Sequence, residues 1–350
     1  MAQGPWDAII VGQGLAGTTL AWHLVEAGQK VLLIDAAESV TSSKIAAGLI
    51  TPITGKRLVL TQRFDDCLPV ARQFYTRIEQ RTGRTFFHDR KAVRLLTSDD
   101  ERERWALRLE QPAFQAHLTD PQPNPLLDPV LGDDSGGGFE MGSAQLDVAA
   151  YLAASREAMP FATTTLDWRQ DVTLGSDGIS VKDHRAHRIV SCEGHAATRN
   201  PYFSWVPFRA AKGDVLTVRF HWPVPAKVLH RGIWVAPTAD PQVFRVGSTY
   251  DWDALDNVPS ASARDEIERN LKAFIDVPYT VLDHQAAVRP IVHESKPLIG
   301  LHPGHQRLGY FNGLGSKGAL LAPWFAQTFA EFLIHGTPVP AASDLRKYFR

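Results

Sequence analysis

Three groups of residues in this chain have types and spacings that could do chemistry. The first is Gly12-Gln13-Gly14-Leu15-Ala16-Gly17, followed at the end of the next apolar run by Asp35 and Ala36. In such a turn Gly12 permits a tight reversal, Gly14 lets the backbone approach a pyrophosphate, and Gly17 lets a helix pack closely on a strand. Asp35 is placed to accept hydrogen bonds from ribose hydroxyls, and an acid there argues against a ribose 2′-phosphate. The second group is another glycine turn, Gly313-Leu314-Gly315-Ser316-Lys317-Gly318, leading into Ala319 and Leu320. It too brings exposed backbone N–H groups to a helix N-terminus, where negative charge is favoured. The third is Arg289, set between small and apolar residues in Ala286-Ala287-Val288-Arg289-Pro290. Its planar fork suits bidentate capture of a carboxylate. A structural ion pair with an internal acid accounts for it equally well at this level.

These residues need particular elements to position them. Asp7 to Val11 reads as a buried strand, a helix follows to Gly28, and Val31 to Ile34 forms a second strand ending at Asp35. This strand–turn–helix–strand–acid unit binds the pyrophosphate of a dinucleotide, either FAD or NAD. Further on, residues 64–82 repeat apolar residues at helical spacing, Phe86-Phe87 and Ala92 to Leu96 read as strands, and 98–110 is a charged helix. From Pro112 to Gly138 the composition predicts a loop with one strand. Ser143 is the expected N-cap of a helix over Leu146 to Met159. Next come a strand at Thr163–Leu166, a hairpin through Val172–Leu174 and Ile179–Val181, and a strand Arg188–Cys192 ending at Glu193-Gly194. Gly194 is a further candidate cofactor contact. Strand-like runs dominate from Arg209 to Tyr250, a helix spans about Ser262 to Ile275, and Gly309–Asn312 leads through the second glycine turn into a helix ending near His335.

The fold class expected is α/β. A Rossmann-type cofactor domain (1–85, 143–200 and 288–350) is interleaved with a mixed, antiparallel β-rich substrate domain (86–142 and 201–287). NAD dehydrogenases usually keep their Rossmann unit contiguous, so the interruption favours FAD. A flavin gains negative charge near N1 and the C2 carbonyl on reduction, which a helix N-terminus at 313–318 would stabilise.

The chain has 350 residues and a formal net charge of −1, which gives no reason to expect nucleic acid as a partner. Its two cysteines, Cys67 and Cys192, lack metal-ligand spacing, and no metal site is expected. The first strand begins too early for a secretory leader, and no apolar run is long enough for a membrane span. A soluble, cytoplasmic protein of a reducing compartment is the expectation.

Several short motifs occur in a fixed order: the Gly12–Asp35 unit, Ala46-Ala47-Gly48, Lys212-Gly213-Asp214, Val246-Gly247-Ser248-Thr249, Val288-Arg289-Pro290 with Lys296-Pro297-Leu298-Ile299-Gly300, and the Gly313–Pro323 turn and helix. In these the chain resembles, over almost its whole length, the FAD-dependent D-amino-acid oxidase superfamily, and within it the glycine oxidase branch. The resemblance implies an FAD-dependent oxidoreductase that oxidises the C–N bond of a small amino acid or secondary amine, by hydride transfer to flavin N5. It implies that Arg289 grips the substrate α-carboxylate and that Leu314 to Leu320 wraps the flavin's pyrimidine edge. Ser42, Ser43, Ala46, Ala47 and Gly48 match the stretch along the ribityl and isoalloxazine, and Val172 matches a residue whose backbone meets adenine. No cysteine lies near the C-terminal motif, so non-covalent FAD is expected.

The chain also departs from the pattern. Trp234 stands where an active-site tyrosine is expected, with Tyr250 nearby. The run Thr51-Pro52-Ile53-Thr54-Gly55-Lys56-Arg57 has no place in the glycine oxidase pattern. Lys56 or Arg57 is a candidate second cation for an acidic substrate, or simply part of a solvated loop. Alternative readings are an amine dehydrogenase using an acceptor other than O₂, a tRNA-modifying oxidase, and a non-catalytic FAD-binding protein.

Overall fold

Two sheets account for most of the architecture, and each is built from strands far apart in the chain. A computed structural model gives the structure of residues 5–120 and 137–349. In the first sheet, Phe161–Thr163, Val31–Asp35, Trp6–Val11, His184–Ser191 and His305–Asn312 lie side by side and parallel. Leu298–His302 closes the edge antiparallel to the last. Ile9, Ile10 and Leu33 are fully buried. Such continuous apolar runs are what a parallel sheet covered on both faces requires. On one face pack the helices Leu15–Glu26, Phe64–Thr82, Val148–Ala158 and Gly318–His335, around Phe74, Tyr75, Tyr151 and Phe329. On the other face Trp168, Phe203 and Tyr310 form a second core.

The second sheet runs in the order Tyr279–Arg289, Ala211–Phe220, Val243–Gly247, Ile233–Pro237, Val228–Arg231, Phe87–Leu95, Gly138–Leu146 and Leu49–Ile50. All these neighbours are antiparallel except Val228–Arg231 with Phe87–Leu95. The helix Ala261–Lys272 buries Ile267 and Leu271 against Phe220 and Phe244 on one face. The opposite face carries Val215, Ala287 and Trp234 toward Ile45, which lies in the segment between the two sheets.

Several local expectations change. Ser143 is not a helix N-cap: it lies in the strand Gly138–Leu146, and its hydroxyl donates to the Arg90 carbonyl at 2.7 Å. Full burial of Ala144 and Leu146 against the neighbouring strand overrides the helical reading. Asp147 takes the capping role instead, accepting from the Ala150 N–H at 3.0 Å. Residues 143–146 therefore pair within the β-rich sheet, as do Leu49 and Ile50. Phe87–Leu95 is one continuous strand. The stretch read as a loop from Pro112 begins with a short helix, Pro112–Gln115, and a strand, Leu118–Asp120, while 121–136 lie outside the described residues. Among the described residues no helix is long and apolar enough to cross a membrane, and no cluster of three or more His, Cys, Asp or Glu could hold a metal ion.

Candidate active site

A cleft of about 1820 Å³ runs between the two sheets. At one end the helix Leu15–Glu26 points its N-terminus into it. Gly12 sits at φ +103°, and a Cβ there would meet the Cys192 carbonyl oxygen; a Cβ on Gly17 would fall on the Gly12 carbonyl oxygen. Both positions therefore require glycine for packing, and Gly17 lies behind the cleft wall. Gly14 leaves the helix without a side-chain cap, and the Ser43 hydroxyl accepts from the Leu15 N–H at 3.1 Å. Asp35 accepts from the Gln13 N–H and the Ala37 N–H, both at 2.7 Å, which fixes its carboxylate beside the turn. Gln13 is itself anchored, donating to the Leu152 carbonyl at 2.8 Å and accepting from Arg156 Nε at 2.8 Å.

The second glycine turn meets the first. A Cβ on Gly318 would come within 2.8 Å of Leu15 Cδ1, so two helix N-termini abut across the cleft. Gly315 is left-handed at φ +56°. Gly313 does not face the cleft; its missing Cβ makes room for Val292. Lys317 is the residue before the helix, and burial lowers its pKa. Its ammonium lies 3.4 Å from the Thr61 hydroxyl, with no carboxylate in ion-pair range among the described residues. A helix N-terminus and an unpaired ammonium together make this corner a place for negative charge. Ala36, Ser42, Ser43, Ala46, Ala47, Gly48, Gly194 and Leu314 to Leu320 all line the cleft. The Val172 side chain packs in the second core and is not part of the lining, while Asp167, Arg169 and Asp171 of the preceding loop line the cleft; the expected contact is one of its backbone, not of this side chain. Strand alternation turns residue 172 inward.

The facing wall belongs to the β-rich sheet. Arg289 ends the strand Tyr279–Arg289, opposite Ala211, and its guanidinium occupies the space a Cβ on Gly213 would take. It donates to the Lys212 carbonyl at 3.2 Å, the Ser248 hydroxyl at 2.7 Å and the Thr249 carbonyl at 3.2 Å. The Tyr250 ring, half-exposed, lies 4.2 Å from its Cζ. Burial pulls the Arg289 pKa down, opposed by Tyr250 and Asp214. Among the described residues Arg289 has no ion-pair partner. Asp214, the nearby acid, is engaged elsewhere, accepting from His284 Nε2 at 2.9 Å and the Ser260 N–H at 3.1 Å. The alternative of an internal ion pair therefore fails geometrically. Trp234 lines the cleft beside Gly247, where a Cβ would sit 3.0 Å from its ring. Lys56 reaches the cleft lining from an exposed hairpin tip, whereas Arg57 does not.

Gly213, Ser248 and Thr249 lie in motifs that carried the resemblance, yet nothing in the sequence marked them as the cradle of Arg289. Their signal was a glycine beside a polar residue at matching strand positions. Arg94 and His230, also on this wall, gave no signal at all.

An α/β dinucleotide-type domain joined to a β-rich wall that presents an unpaired arginine defines a flavin-dependent oxidoreductase. The model of the FAD dependent oxidoreductase family, DAO, matches residues 7–332, and the chain belongs to that family. It is 25% identical to the glycine oxidase of Pseudomonas putida, over 95% of this chain and 96% of that one. Among solved structures, glycine oxidase from Bacillus cereus superposes with a TM-score of 0.80 at 17% identity, covering 95% of this chain and 96% of that one. Iminodiacetate oxidase from Chelativorans gives 0.76 at 19% identity, covering 96% and 98%. The fold is thus the one expected, and the cofactor is FAD.

Proposed function

We propose that the chain oxidises the C–N bond of a small amino acid or secondary amine whose carboxylate is held by Arg289. The observation that carries this reading is the Arg289 guanidinium, mostly buried, cradled by two carbonyls and a hydroxyl, and without a carboxylate of its own. A desolvated cation presented without its counter-ion suits an anionic ligand. The names of the relatives, glycine oxidase and iminodiacetate oxidase, support a small amino acid as that ligand.

The cradle around Gly12, Gly14 and Asp35 fits the pyrophosphate and ribose of FAD. The Ser42–Gly48 and Leu314–Leu320 segments fit its flavin end, held without a covalent bond. When bound, FAD supplies the hydride acceptor. The protein's own part is placement: Arg289 anchors the carboxylate, and Trp234 and Tyr250 flank it. Orientation of this kind lowers a barrier by roughly 7–11 kcal/mol in ideal cases. The two cysteines are both buried and unpaired, which suits a reducing, cytoplasmic compartment. The electron acceptor is O₂ or another oxidant, separated by the peroxide yield per turnover.

Anaerobic mixing of purified holoprotein with amino acids and N-alkyl glycines tests the reading through bleaching of the flavin absorbance. Arg289→Ala is expected to slow that reduction by about 10²–10⁴-fold, the loss of two charge-assisted hydrogen bonds at roughly 1.5–3 kcal/mol each. Equal rates in the variant and the parent defeat the proposal.

A further inference from the structure

Lys56 and Arg57, the candidate second cations, both lie exposed at a hairpin tip. A buried cation stands elsewhere on the wall. Gly247, Trp234, His230 and Arg94 are direct cross-strand partners on four adjacent strands, so their side positions share one face of the sheet. Alternation along Ala211–Phe220 puts Arg289 on that same face, through the pairings Arg289 with Ala211 and Gly247 with Val215. The backbones of Gly247 and Arg94 are three strand spacings apart, about 14 Å. The row is therefore a floor with one arginine near each end.

Arg94 is 7% exposed and held in place from behind: its Nη2 donates to Glu101 Oε1 at 2.7 Å, and the other Glu101 oxygen accepts from the Thr97 N–H and hydroxyl. Both residues line the cleft, and Arg94 Nε and His230 Nε2 are buried with no hydrogen-bond partner. Burial, and next the Arg94 charge, push the His230 pKa down to about 3, so the imidazole is neutral and carries one ring N–H to donate. A buried donor left without an acceptor costs about 1–3 kcal/mol, and more when charged. An acceptor in the cleft recovers that loss once the two side chains turn these nitrogens toward it, and the guanidinium favours an anionic one. Exposed Glu266 and half-buried Asn270 form the adjoining rim.

We propose that Arg94 and His230 form a distal subsite that binds a second carboxylate of the substrate, several atoms beyond the carboxylate held at Arg289. The proposal rests on the assignment of Arg289 given above. It makes the substrate an extended or N-substituted amino acid with a terminal acid rather than glycine itself.

Calorimetric titration of the holoprotein with a series of straight-chain α,ω-dicarboxylates and their length-matched monocarboxylates tests this without turnover. At the best-matched length the dicarboxylate is expected to bind about tenfold more tightly than the monocarboxylate, the equivalent of about 1.4 kcal/mol. In His230→Leu that ratio should fall toward one, with the flavin spectrum verifying that the variant is folded and loaded. If no dicarboxylate outbinds its monocarboxylate in the parent protein, the subsite is refuted, whatever the variant does. A ratio that survives His230→Leu refutes it as well. Failure of the underlying assignment has a different signature: Arg289→Ala then leaves monocarboxylate affinity intact.

Discussion

Gly213→Ala isolates the placement of Arg289 from its charge. A methyl at position 213 would overlap Nη1, Nη2 and Cζ of Arg289, so the guanidinium has to move. Restoring a contact of about 3.5–4.0 Å needs a displacement of more than 1 Å. That displacement breaks the bonds to Lys212, Ser248 and Thr249. The fold loses little, because the obstacle is the far end of a flexible side chain, and alanine in a strand recovers about 0.5–1 kcal/mol of backbone entropy. Catalysis loses more: a 1 Å misplacement costs about 10²-fold, or roughly 2.7 kcal/mol of barrier. Gly142→Ala is the control, since its Cβ would meet nothing closer than Thr119 Cγ2 at 3.8 Å. The assay is stopped-flow flavin reduction under anaerobic conditions, with flavin content and melting temperature recorded for each variant. A Gly213→Ala protein that keeps its flavin and reduces within threefold of the control, a difference of about 0.6 kcal/mol, refutes the claim that this guanidinium positions the substrate.

The cofactor end is tested by Gly17→Ala, whose methyl would collide with the Gly12 carbonyl; the purified protein should be colourless, as read from absorbance near the flavin band. Asp35→Asn turns an amide donor toward one of the two backbone N–H groups that the carboxylate accepts, a loss of about 1–3 kcal/mol. It should weaken FAD binding by about tenfold or more in a flavin-release titration. Acid stability has a specific contributor in His23, stacked 4.9 Å from Phe74, whose pKa burial lowers from 6.5 to about 4. Because the unfolded chain takes the proton first, this stability is whole above pH 6.5 and drains away as pH falls toward 4, by roughly 3 kcal/mol in all. His23→Phe should flatten that limb of the denaturation curve, and an unchanged pH dependence contradicts the assignment.

Legibility in the sequence followed the range over which each feature is determined. The Gly12–Asp35 unit is readable because strand, turn, helix and acid are contiguous, although the carbonyl that demands glycine at position 12 belongs to Cys192, far along the chain. The helices Phe64–Thr82 and Gly318–His335 were readable from their apolar spacing. Ser143 lies in a strand and not at a helix N-cap because local capping preference points one way and burial of Ala144 and Leu146 by a strand some fifty residues away points the other. The direction of the Val172 side chain, into the second core, depends on the pairing of a hairpin with the main sheet, which no local pattern shows.

By itself the sequence determined that a dinucleotide-binding unit opens the chain and that Arg289 is an arginine in apolar company. Each of these follows from residue types within a short window. Only the tertiary structure decided that Arg289 has no internal carboxylate, because Asp214 is already satisfied by His284 and Ser260. It alone aligned Gly247, Trp234, His230 and Arg94 into one row. Cross-strand register joins residues 94, 230, 234 and 247, and no local pattern encodes a pairing across more than a hundred residues.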